Sequence, residues 1–230
     1  MKPKYYFSLI LILFFFTLNF NQIQAKSISL EIANPSSFQN KKDLQVTVLK
    51  VTGSINKKTI SSLLNLYPNI ENLDLSNSKI VAFTDEHMLV YPANEIPSSL
   101  FSKQIKLKSV ILPNGIVKIG KGAFWSCSSL ENIVLPNTVK VIERFAFQLC
   151  SNLKHITFPA NLMTLGGASF TGCESLKTIK YSSKNPPLMP EWSPFTDMKP
   201  NTCIIYVPAA SIENYRNSKY LDIFQIKTFK

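Results

Sequence analysis

Residues 130–152 read LENIVLPNTVKVIERFAFQLCSN, and the stretch before them, 107–129, reads LKSVILPNGIVKIGKGAFWSCSS. Residues 153–175 repeat the pattern as LKHITFPANLMTLGGASFTGCES. The three stretches follow one another directly and align without gaps, so the repeat has one fixed period. Self-similarity at a fixed period of about 23 residues is the signature of a solenoid, a chain wound into stacked coils.

Five apolar columns keep the same phase through this repeat. They are Val110, Ile133, Ile156 and Ile179; Leu107, Leu130, Leu153 and Leu176; Phe101, Phe124, Phe147 and Phe170; Ile96, Ile119, Ile142 and Leu165; and Cys127, Cys150 and Cys173. One such coil cannot bury its own apolar residues, whereas stacked coils bury them together. The columns therefore predict the continuous core of a solenoid.

Each unit divides into a short strand and a return segment. The segment I-x-L alternates at period 2 and predicts a strand whose two apolar residues face inward. Proline follows and ends the strand, because it cannot continue a sheet ladder in both directions. The remaining apolar positions have irregular spacing, which predicts an irregular or 3-10 return segment with an apolar inner lining.

Segments at both ends of the repeat could cap it, as open solenoid ends require. Residues 44–51 alternate like a strand, and residues 59–67 have helical spacing. Residues 203–208 predict a final strand. They are followed by a short helix at residues 209–216, with Ser211 as its predicted N-cap, and by a last extended segment at its C-terminal side.

The predicted organisation of the chain has four parts. An earlier coil that begins at Ile70 lies further from Leu107 than one period, so the intervening sequence contains an insertion. The parts are a signal peptide at residues 1–25, an N-terminal region and cap with a strand and a helix at 26–72, the repeats at 73–182 with an insertion at about 81–94, and a C-terminal cap at 183–230.

The columns L-x-x-I-x-L-P, I-G-x-x-A-F and C-x-x-L resemble the BspA-like leucine-rich repeats of secreted and surface bacterial proteins, from about Leu44 to the C-terminus. The resemblance implies an α/β repeat solenoid, a leucine-rich-repeat right-handed superhelix with 23-residue coils and one parallel strand per coil. It also implies a link to adhesion and no shared catalytic residues. Two positions depart from the family pattern: Glu143 replaces the usual Gly, and Gln104 stands in the first Cys column.

The N-terminal sequence has the order of a secretory signal peptide. Lys2 and Lys4 precede an apolar run, and polar residues then lead to Ala25, the predicted cleavage position. The apolar run is about 14 residues, shorter than the roughly 20 that a membrane-spanning helix needs. We therefore expect a chain that is secreted or periplasmic, with association with the cell surface as an option, and with no transmembrane span after cleavage.

The strand face is the predicted ligand-binding surface. If Ile133 and Leu135 face inward, the residues between them face outward, and the same holds on the neighbouring coils. The candidate ligand-binding residues are Asn132, Val134, His155, Thr157, Thr178 and Lys180. The same counting places Ile205 in the outward column. Exposed apolar residues on a sheet can also be ordinary β-formers without a ligand.

Candidate reactive groups are few, since the chain has 2 His and 4 Cys. The cysteine column predicts a buried ladder of free thiols, with a disulfide between adjacent coils as the alternative. Zinc is the least favoured interpretation because no C-x₂₋₄-C pair is present. His87, beside Asp85 and Glu86, is better interpreted as part of a charged loop than as a metal or acid-base cluster. We expect no catalytic residues, no metal and no cofactor.

Composition and charge narrow the function classes. The chain is 45% hydrophobic with 16 Phe, which excludes a disordered or collagen-like protein. The leading hypothesis is a secreted, non-enzymatic recognition module that binds a protein or glycan through the strand face, in the manner of an adhesin. A cell-envelope structural component is an alternative function that shares every sequence feature with this hypothesis. Either tryptophan, Trp125 or Trp192, could serve as a contact anchor for a partner.

Positive charge supports a further alternative. The net charge is +11, and residues 96–180 hold ten basic residues against three acidic ones. Charge-driven attachment to anionic polymers is therefore an alternative function. Specific nucleic-acid binding is not expected, because neither base-stacking aromatic residues nor a groove-entering element is recognisable.

The sequence also lacks three motifs that are typical of enzymes: G-x-S-x-G, H-E-x-x-H and the phosphate loop.

We predict that the exported protein begins at Lys26. Signal peptidase removes segments that end in small residues, and Ala25 provides one. The measurement is intact mass and N-terminal sequencing of the protein recovered from the periplasm or medium of its producing cells. A protein that keeps residues 1–25 would contradict the prediction.

Overall fold

The computed structural model describes residues 26–32, 42–190, 192–199 and 202–229. The predicted signal peptide lies outside the described residues. The elements, in chain order, are β1 (Lys26–Ile32), β2 (Val46–Ile55), α1 (Lys57–Leu66), β3 (Asn72–Asp74), β4 (Ser78–Ile80), β5 (Phe83–Thr84), β6 (Val90–Tyr91), β7 (Glu95–Ile96), β8 (Ser109–Ile111), β9 (Lys118–Ile119), β10 (Asn132–Val134), β11 (Val141–Ile142), β12 (His155–Phe158), β13 (Thr164–Leu165), β14 (Thr178–Tyr181), β15 (Ile204–Pro208), a 3-10 turn (Ala209–Ser211), α2 (Ile212–Arg216) and β16 (Gln225–Phe229).

Parallel strands from successive coils form the fold. One sheet has the order β1-β2-β3-β8-β10, with β4 paired to the end of β2, and another has the order β12-β14-β15-β16. Chain neighbours along the repeat are also neighbours in these sheets, and Ile133 pairs with Val110, its equivalent one period earlier. The predicted solenoid of stacked 23-residue coils with parallel strands is confirmed.

Each coil of the repeat also contains a second short strand. The sequence pattern predicts an irregular return segment here and one strand per coil. Instead, β7, β9, β11 and β13 pair in parallel as a separate four-stranded sheet. Two residues per coil are enough to form this second sheet. The second residue of each strand is fully buried and holds the strands in register; these residues are Ile96, Ile119, Ile142 and Leu165.

The core is a set of side-chain ladders that run along the solenoid. Phe101, Phe124, Phe147 and Phe170 stack with ring centroids 4.9, 5.2 and 5.2 Å apart, and Phe195 of the C-terminal region extends the stack at 5.7 Å. These rings are almost completely buried. Because each ring covers the face of the next, every coil depends on its neighbours for burial of its largest side chain.

A cysteine ladder runs beside the phenylalanines. Cys127, Cys150 and Cys173 are buried free thiols, as the sequence predicts. Each thiol donates a hydrogen bond to a phenylalanine carbonyl oxygen of the preceding coil, for example Cys150 Sγ to Phe124 O at 3.2 Å. The thiols therefore link adjacent coils without a disulfide.

The N-terminal end is covered by β1, β2 and α1. The sequence predicts the strand and helix here but not β1, which pairs in parallel with β2. Helix α1 begins two residues before the predicted start, because the Asn56 side chain accepts a hydrogen bond from Thr59 N at 3.0 Å and caps the first turn.

The additional residues between β4 and β7 form a hairpin of β5 and β6, the one antiparallel pair among the described strands. Asp85 Oδ1 closes its turn by accepting from His87 N at 2.9 Å and Leu89 N at 3.0 Å. Lys57 Nζ donates to Tyr91 OH at 2.5 Å, which fixes the hairpin to the first turn of α1. Asp85 thus stabilises the turn of the hairpin.

The C-terminal region adds β15, a short helix and β16 to the stack. The prediction that Ser211 caps the helix is wrong: its hydroxyl makes no capping hydrogen bond and has no partner among the described residues. The reason is that the 3-10 turn at Ala209–Ser211 runs directly into α2. Ser211 consequently has φ −113° and ψ −3°, outside the extended conformation that aims a cap side chain at the free N–H groups.

Both α-helices among the described residues are short, at 10 and 5 residues. No helix in the described part of the chain has both the length and the apolar character to cross a bilayer.

We predict that Phe147→Ala destabilises the whole solenoid by about 3–5 kcal/mol, because it leaves a cavity between two stacked rings. The measurement is the free energy of unfolding from chemical denaturation. Phe145→Ala is the matched control: Phe145 is half-buried beside Trp192 and lies outside the stack, so the loss should be about 1 kcal/mol or less. Equal losses in both variants would contradict a core carried by the ring ladder.

Candidate ligand-binding face

Two outward columns of side chains define the strand face. The first outward column is Val48, Asn72, Ser109, Asn132, His155, Thr178, Ile204 and Gln225. The second outward column is Lys50, Asp74, Ile111, Val134, Thr157, Lys180, Tyr206 and Lys227. Between them lies the buried column that contains Ile133 and Ile156, so the predicted inward and outward alternation is observed.

The assignment of Ile205 to the outward column is wrong. Ile205 is fully buried and pairs with Ile179, while Tyr206 is half-buried and pairs with Lys180. The step from Lys180 to Tyr206 is longer than the repeat period, because residues 183–203 belong to the C-terminal region and not to a regular coil. Only pairing with β14 sets the register of β15.

A seam interrupts the strand face between β10 and β12. No β-ladder joins these two strands within the described residues, and they belong to separate hydrogen-bonded sheets. The connection near their starts is a long backbone hydrogen bond from Lys154 N to Glu131 O, 3.4 Å. Strands β8 and β10, one coil earlier, are joined in full register. The β-ladder of the strand face is therefore interrupted at one place along its length, between two strands that remain adjacent.

Four of the six predicted binding residues line a pocket at this seam. Asn132 and Val134 stand on one side, and His155 and Thr157 stand on the other. The pocket has a volume of about 290 Å³, and its lining also includes Ile133, Leu135, Asn137, Pro159 and Ser182. It thus combines apolar and hydrogen-bonding groups, the mixture that small-ligand sites require.

The apolar part of the lining follows from the interruption of the ladder at the seam. Ile133 and Leu135 are 7% and 9% exposed, whereas the corresponding Val110 and Leu112 are 1% and 3% exposed. Where the ladder between β10 and β12 is missing, the edges of these two core side chains are slightly more exposed than in the preceding coil. The hydrophobic floor is the core of the solenoid itself.

Thr178 and Lys180, the other two predicted residues, do not line this pocket. Thr178 lies on the next strand and is hydrogen-bonded through Oγ1 to His155 Nδ1, so it orients the imidazole that borders the pocket. Lys180 points toward the C-terminal end, with Nζ 4.1 Å from the centre of the Phe229 ring. The six residues therefore divide between a pocket and a neighbouring basic surface.

Ion pairs accompany the strand face up to the seam. Lys108 Nζ lies 2.9 Å from Glu71, Lys154 Nζ lies 2.5 Å from Glu131, and Lys50 reaches Asp74 at 3.9 Å. These exposed pairs add little stability, but they neutralise the N-terminal part of the face. Lys177, Lys180 and Lys227 are exposed and have no ion-pair partner in the part of the chain that the structure describes.

The cysteines offer no reactive thiolate. Burial raises the pKa of the Cys127, Cys173 and Cys203 thiols to about 12 and that of Cys150 well above its ordinary value. The thiolate is the form that attacks electrophiles and binds metals, and it is negligible at neutral pH with such values. Over the described residues, no group of three or more His, Cys, Asp or Glu side chains is arranged to hold a metal ion.

Two surface features were not predicted as contact sites. The hairpin tip exposes Met88, Leu89 and Val90 at 80%, 57% and 67%. Sequence inspection identified the insertion but could not show that these side chains find no core. The other feature is Tyr206, which was not recognised as outward because Ile205 was assigned to that position. Only the pairing of Tyr206 with Lys180 identifies it.

Glu143, which departs from the repeat pattern, has a structural role. Its carboxylate accepts a hydrogen bond from Lys121 N at 2.7 Å and lies 3.4 Å from Lys118 Nζ. Lys118 also contacts Glu95 at 3.0 Å, and the hydrogen bond to Glu95 is the largest of several causes that raise the pKa of Lys118. The glutamate thus ties successive coils together on the second sheet.

The two tryptophans differ in exposure. Trp192 is about half exposed and lies against Phe145, with ring centroids 6.1 Å apart. Trp125 is half-buried, and Lys103 Nζ lies 5.2 Å from its ring centre. Neither residue is on the strand face, so neither is available as an anchor for a ligand at the seam.

Comparison with known proteins supports the resemblance noted in the sequence. Residues 89–189 match the profile of the family described as BspA type Leucine rich repeat region, in 6 copies. No curated protein matches the chain. The family match covers the regular coils and the hairpin end, but neither cap completely.

Solved structures of leucine-rich repeat proteins are similar to this chain. A T. pallidum leucine-rich repeat protein is 22% identical, with 59% of this chain and 63% of that chain covered and a TM-score of 0.47. A Bacteroides ovatus leucine-rich repeat protein is also 22% identical, with coverage of 88% and 42% and a TM-score of 0.48. The pneumococcal vaccine antigen PcpA is 17% identical, with coverage of 89% and 68% and a TM-score of 0.43. The chain spans less than two thirds of the T. pallidum and B. ovatus proteins.

We predict that Val134→Glu leaves the fold intact while Ile133→Glu destroys it. Val134 is 60% exposed, so a carboxylate there stays in water, and the free energy of unfolding should change by about 0.5 kcal/mol or less. Ile133 is adjacent but faces the core, where an unpaired charge is severely unfavourable. Thermal unfolding followed by circular dichroism compares the two. Similar melting temperatures for both variants would contradict the assigned faces.

Proposed function

We propose that this chain, which contains a BspA-type leucine-rich repeat region, is a secreted, non-enzymatic recognition module. It binds a protein or glycan through the strand face, in the manner of an adhesin. The observation that carries the proposal is the seam pocket, where the ladder of an otherwise regular face is interrupted over an apolar floor with polar walls.

The groups around the pocket suit recognition. Asn132 supplies an amide with two donors and an acceptor, Thr157 supplies a hydroxyl, and His155 supplies an imidazole. Val134 adds exposed apolar area at the rim. A ligand would gain hydrogen bonds to the walls and hydrophobic contact with the floor.

Rigidity of the scaffold favours such a site. Strands β10 and β12 each belong to a paired sheet, and His155 is held by Thr178. Binding to a surface whose side chains are already ordered loses little conformational entropy. The same coils that form the core thus prepare the surface for a ligand.

Location outside the cytoplasm is part of the proposal. Its support is the N-terminal sequence, with a basic start, a short apolar run and a small residue at Ala25. The BspA-like resemblance adds the expectation of a secreted or surface protein. A secreted or periplasmic module would meet its partner at the cell envelope or beyond it.

A non-enzymatic role fits the chemistry of the described residues. Their thiols are protonated and buried, so they supply no thiolate nucleophile. General acid-base catalysis requires titratable groups that converge on one site. The seam pocket instead collects neutral hydrogen-bonding groups around a single histidine.

A second candidate function is attachment to anionic polymers through charge alone. The favouring observation is the group of exposed lysines at the C-terminal end of the strand face, Lys177, Lys180 and Lys227. Attraction of this kind weakens steeply with salt, because exposed charges are screened over about 10 Å at 0.1 M ionic strength. A cell-envelope structural component would use the same surface with a permanent partner.

We predict that Val134→Glu together with Thr157→Glu abolishes ligand binding while folding is retained, since both side chains are exposed and border the seam pocket. The probes are immobilised matrix glycoproteins, heparin and lipopolysaccharide, measured by surface plasmon resonance at low and high salt. The matched control is Ile105→Glu together with Met163→Glu, which adds the same charge at exposed positions outside the strand face.

Saturable binding to one probe that survives high salt, is lost in the seam variant and persists in the control supports the recognition site. If the seam variant binds as tightly as the unmodified chain, the pocket has no part in recognition. Binding to every anion that disappears in high salt would leave charge alone as the explanation.

A further inference from the structure

We propose that the C-terminal end of the strand face is a subsite for an acidic glycan, formed by Lys180, Tyr206, Lys227 and Phe229. This inference rests on the proposed function, since it names the ligand class that the strand face would bind. These four residues together are termed the basic platform. It lies on β14, β15 and β16, beyond the seam pocket.

The row Lys180, Tyr206 and Lys227 is set by strand pairing. Lys180 pairs with Tyr206, and Tyr206 pairs with Lys227, so the three side chains leave the same face of three consecutive strands. Strands lie about 4.8 Å apart, which separates the two lysine positions by roughly 10 Å with the tyrosine between them.

Charge is unbalanced along the strand face. On its N-terminal side Asp74 and Glu71 each have a lysine beside them, in the pairs Lys50–Asp74 and Lys108–Glu71. On the C-terminal side, Lys177, Lys180 and Lys227 are exposed and have no carboxylate partner among the described residues. The platform therefore attracts an anion, while the other end of the same face does not.

Aromatic rings give the platform an apolar surface as well as a charge. Tyr206 and Phe229 are both half-buried, so part of each ring faces solvent. Lys180 Nζ lies 4.1 Å from the centre of the Phe229 ring, close enough for a cation–π contact that holds the ammonium group over the sheet. Phe229 is two residues beyond Lys227 on β16 and reaches the same surface.

These groups match an acidic sugar better than an acidic peptide. One face of a pyranose ring presents C–H groups that pack against an aromatic ring, and its edge carries hydroxyl, carboxylate or sulfate groups. Tyr206 would contact the ring face, and the ammonium groups of Lys180 and Lys227 would contact its anionic groups. An acidic peptide could pair with the lysines but would gain nothing particular from the tyrosine between them.

A column of polar side chains beside the platform would contact the neutral part of the same ligand. Thr178, His155 and Asn132 continue along the first outward column toward the seam pocket. From β12 to β16 the strands cover about 15 Å at their usual spacing. A short acidic oligosaccharide lying across the strands would place its neutral hydroxyl groups over this column and its anionic end on the platform.

The experiment measures binding of the full chain to defined probes by isothermal titration calorimetry in 150 mM salt. The probes are a heparin-derived octasaccharide, a hyaluronan octasaccharide, a neutral dextran-derived octasaccharide and poly-L-glutamate. The first two distinguish sulfate from carboxylate as the anionic group. We expect binding of at least one of these two and none of the neutral glycan.

Lysine variants test the position of the charge. Lys180→Gln with Lys227→Gln should weaken binding of the acidic octasaccharide about 10-fold, since two exposed charge contacts are lost. The control Lys79→Gln with Lys140→Gln removes the same net charge at exposed positions away from the platform and should change affinity less than about 2-fold. Equal weakening by both pairs would overturn the subsite.

Tyrosine variants test the ring contact. Tyr206→Phe keeps the ring and should bind within about 2-fold of the unmodified chain, whereas Tyr206→Leu keeps an apolar side chain without the ring and should bind about 5-fold more weakly. Poly-L-glutamate binding as tight as the octasaccharide and unaffected by Tyr206→Leu would replace the glycan with an acidic peptide. Both variants are compared by thermal unfolding, so a loss of fold is recognised separately.

A neutral seam variant separates this inference from the proposed function. Asn132→Ala with His155→Ala removes two pocket walls without changing the lysines. Glycan binding that persists in this variant but is lost in the platform variant leaves the platform correct and removes the pocket. Recognition that is lost in the seam variant and unaffected in Lys180→Gln with Lys227→Gln leaves the pocket correct and overturns the platform.

Discussion

Each coil of this solenoid leaves its inner side chains uncovered, and only the neighbouring coils can bury them. The phenylalanine stack shows this dependence most directly, since each ring from Phe101 to Phe195 lies against the face of the next. The thiol-to-carbonyl hydrogen bonds of the cysteine ladder repeat the same coil-to-coil step. The stability of each coil therefore depends on its neighbours, and few substitutions are tolerated in the inner columns.

The outward columns carry no such restriction, which leaves them free for recognition. Their composition changes along the axis, from neutralised pairs such as Lys108–Glu71, through the seam pocket, to the unpaired lysines at the C-terminal end. A regular parallel sheet would be nearly uniform. The seam and the charge imbalance give this face two distinct places, one with an apolar floor and one with basic and aromatic groups.

Where the sequence has a strict period, the positions that face the core are predicted correctly. The inward positions of Ile133 and Ile156 and the buried thiols follow from columns that recur once in every coil, because every copy experiences the same environment. Two predictions are wrong in the C-terminal region, where the period ends. Ile205 was placed outward although it is buried, and the cap at Ser211 does not form, because the C-terminal segment has no second copy with which to be aligned.

The sequence alone determined the solenoid, the length of its coils and the residues that face its core, since these follow from local alternation and from the need to cover apolar side chains. It also identified Asn132, Val134, His155 and Thr157 as outward. Tertiary structure decided that the ladder between β10 and β12 is missing there and that Tyr206 lies between Lys180 and Lys227. Hydrogen bonding between strands sets both features, and pairing between segments distant in the chain cannot be read from the composition of either one.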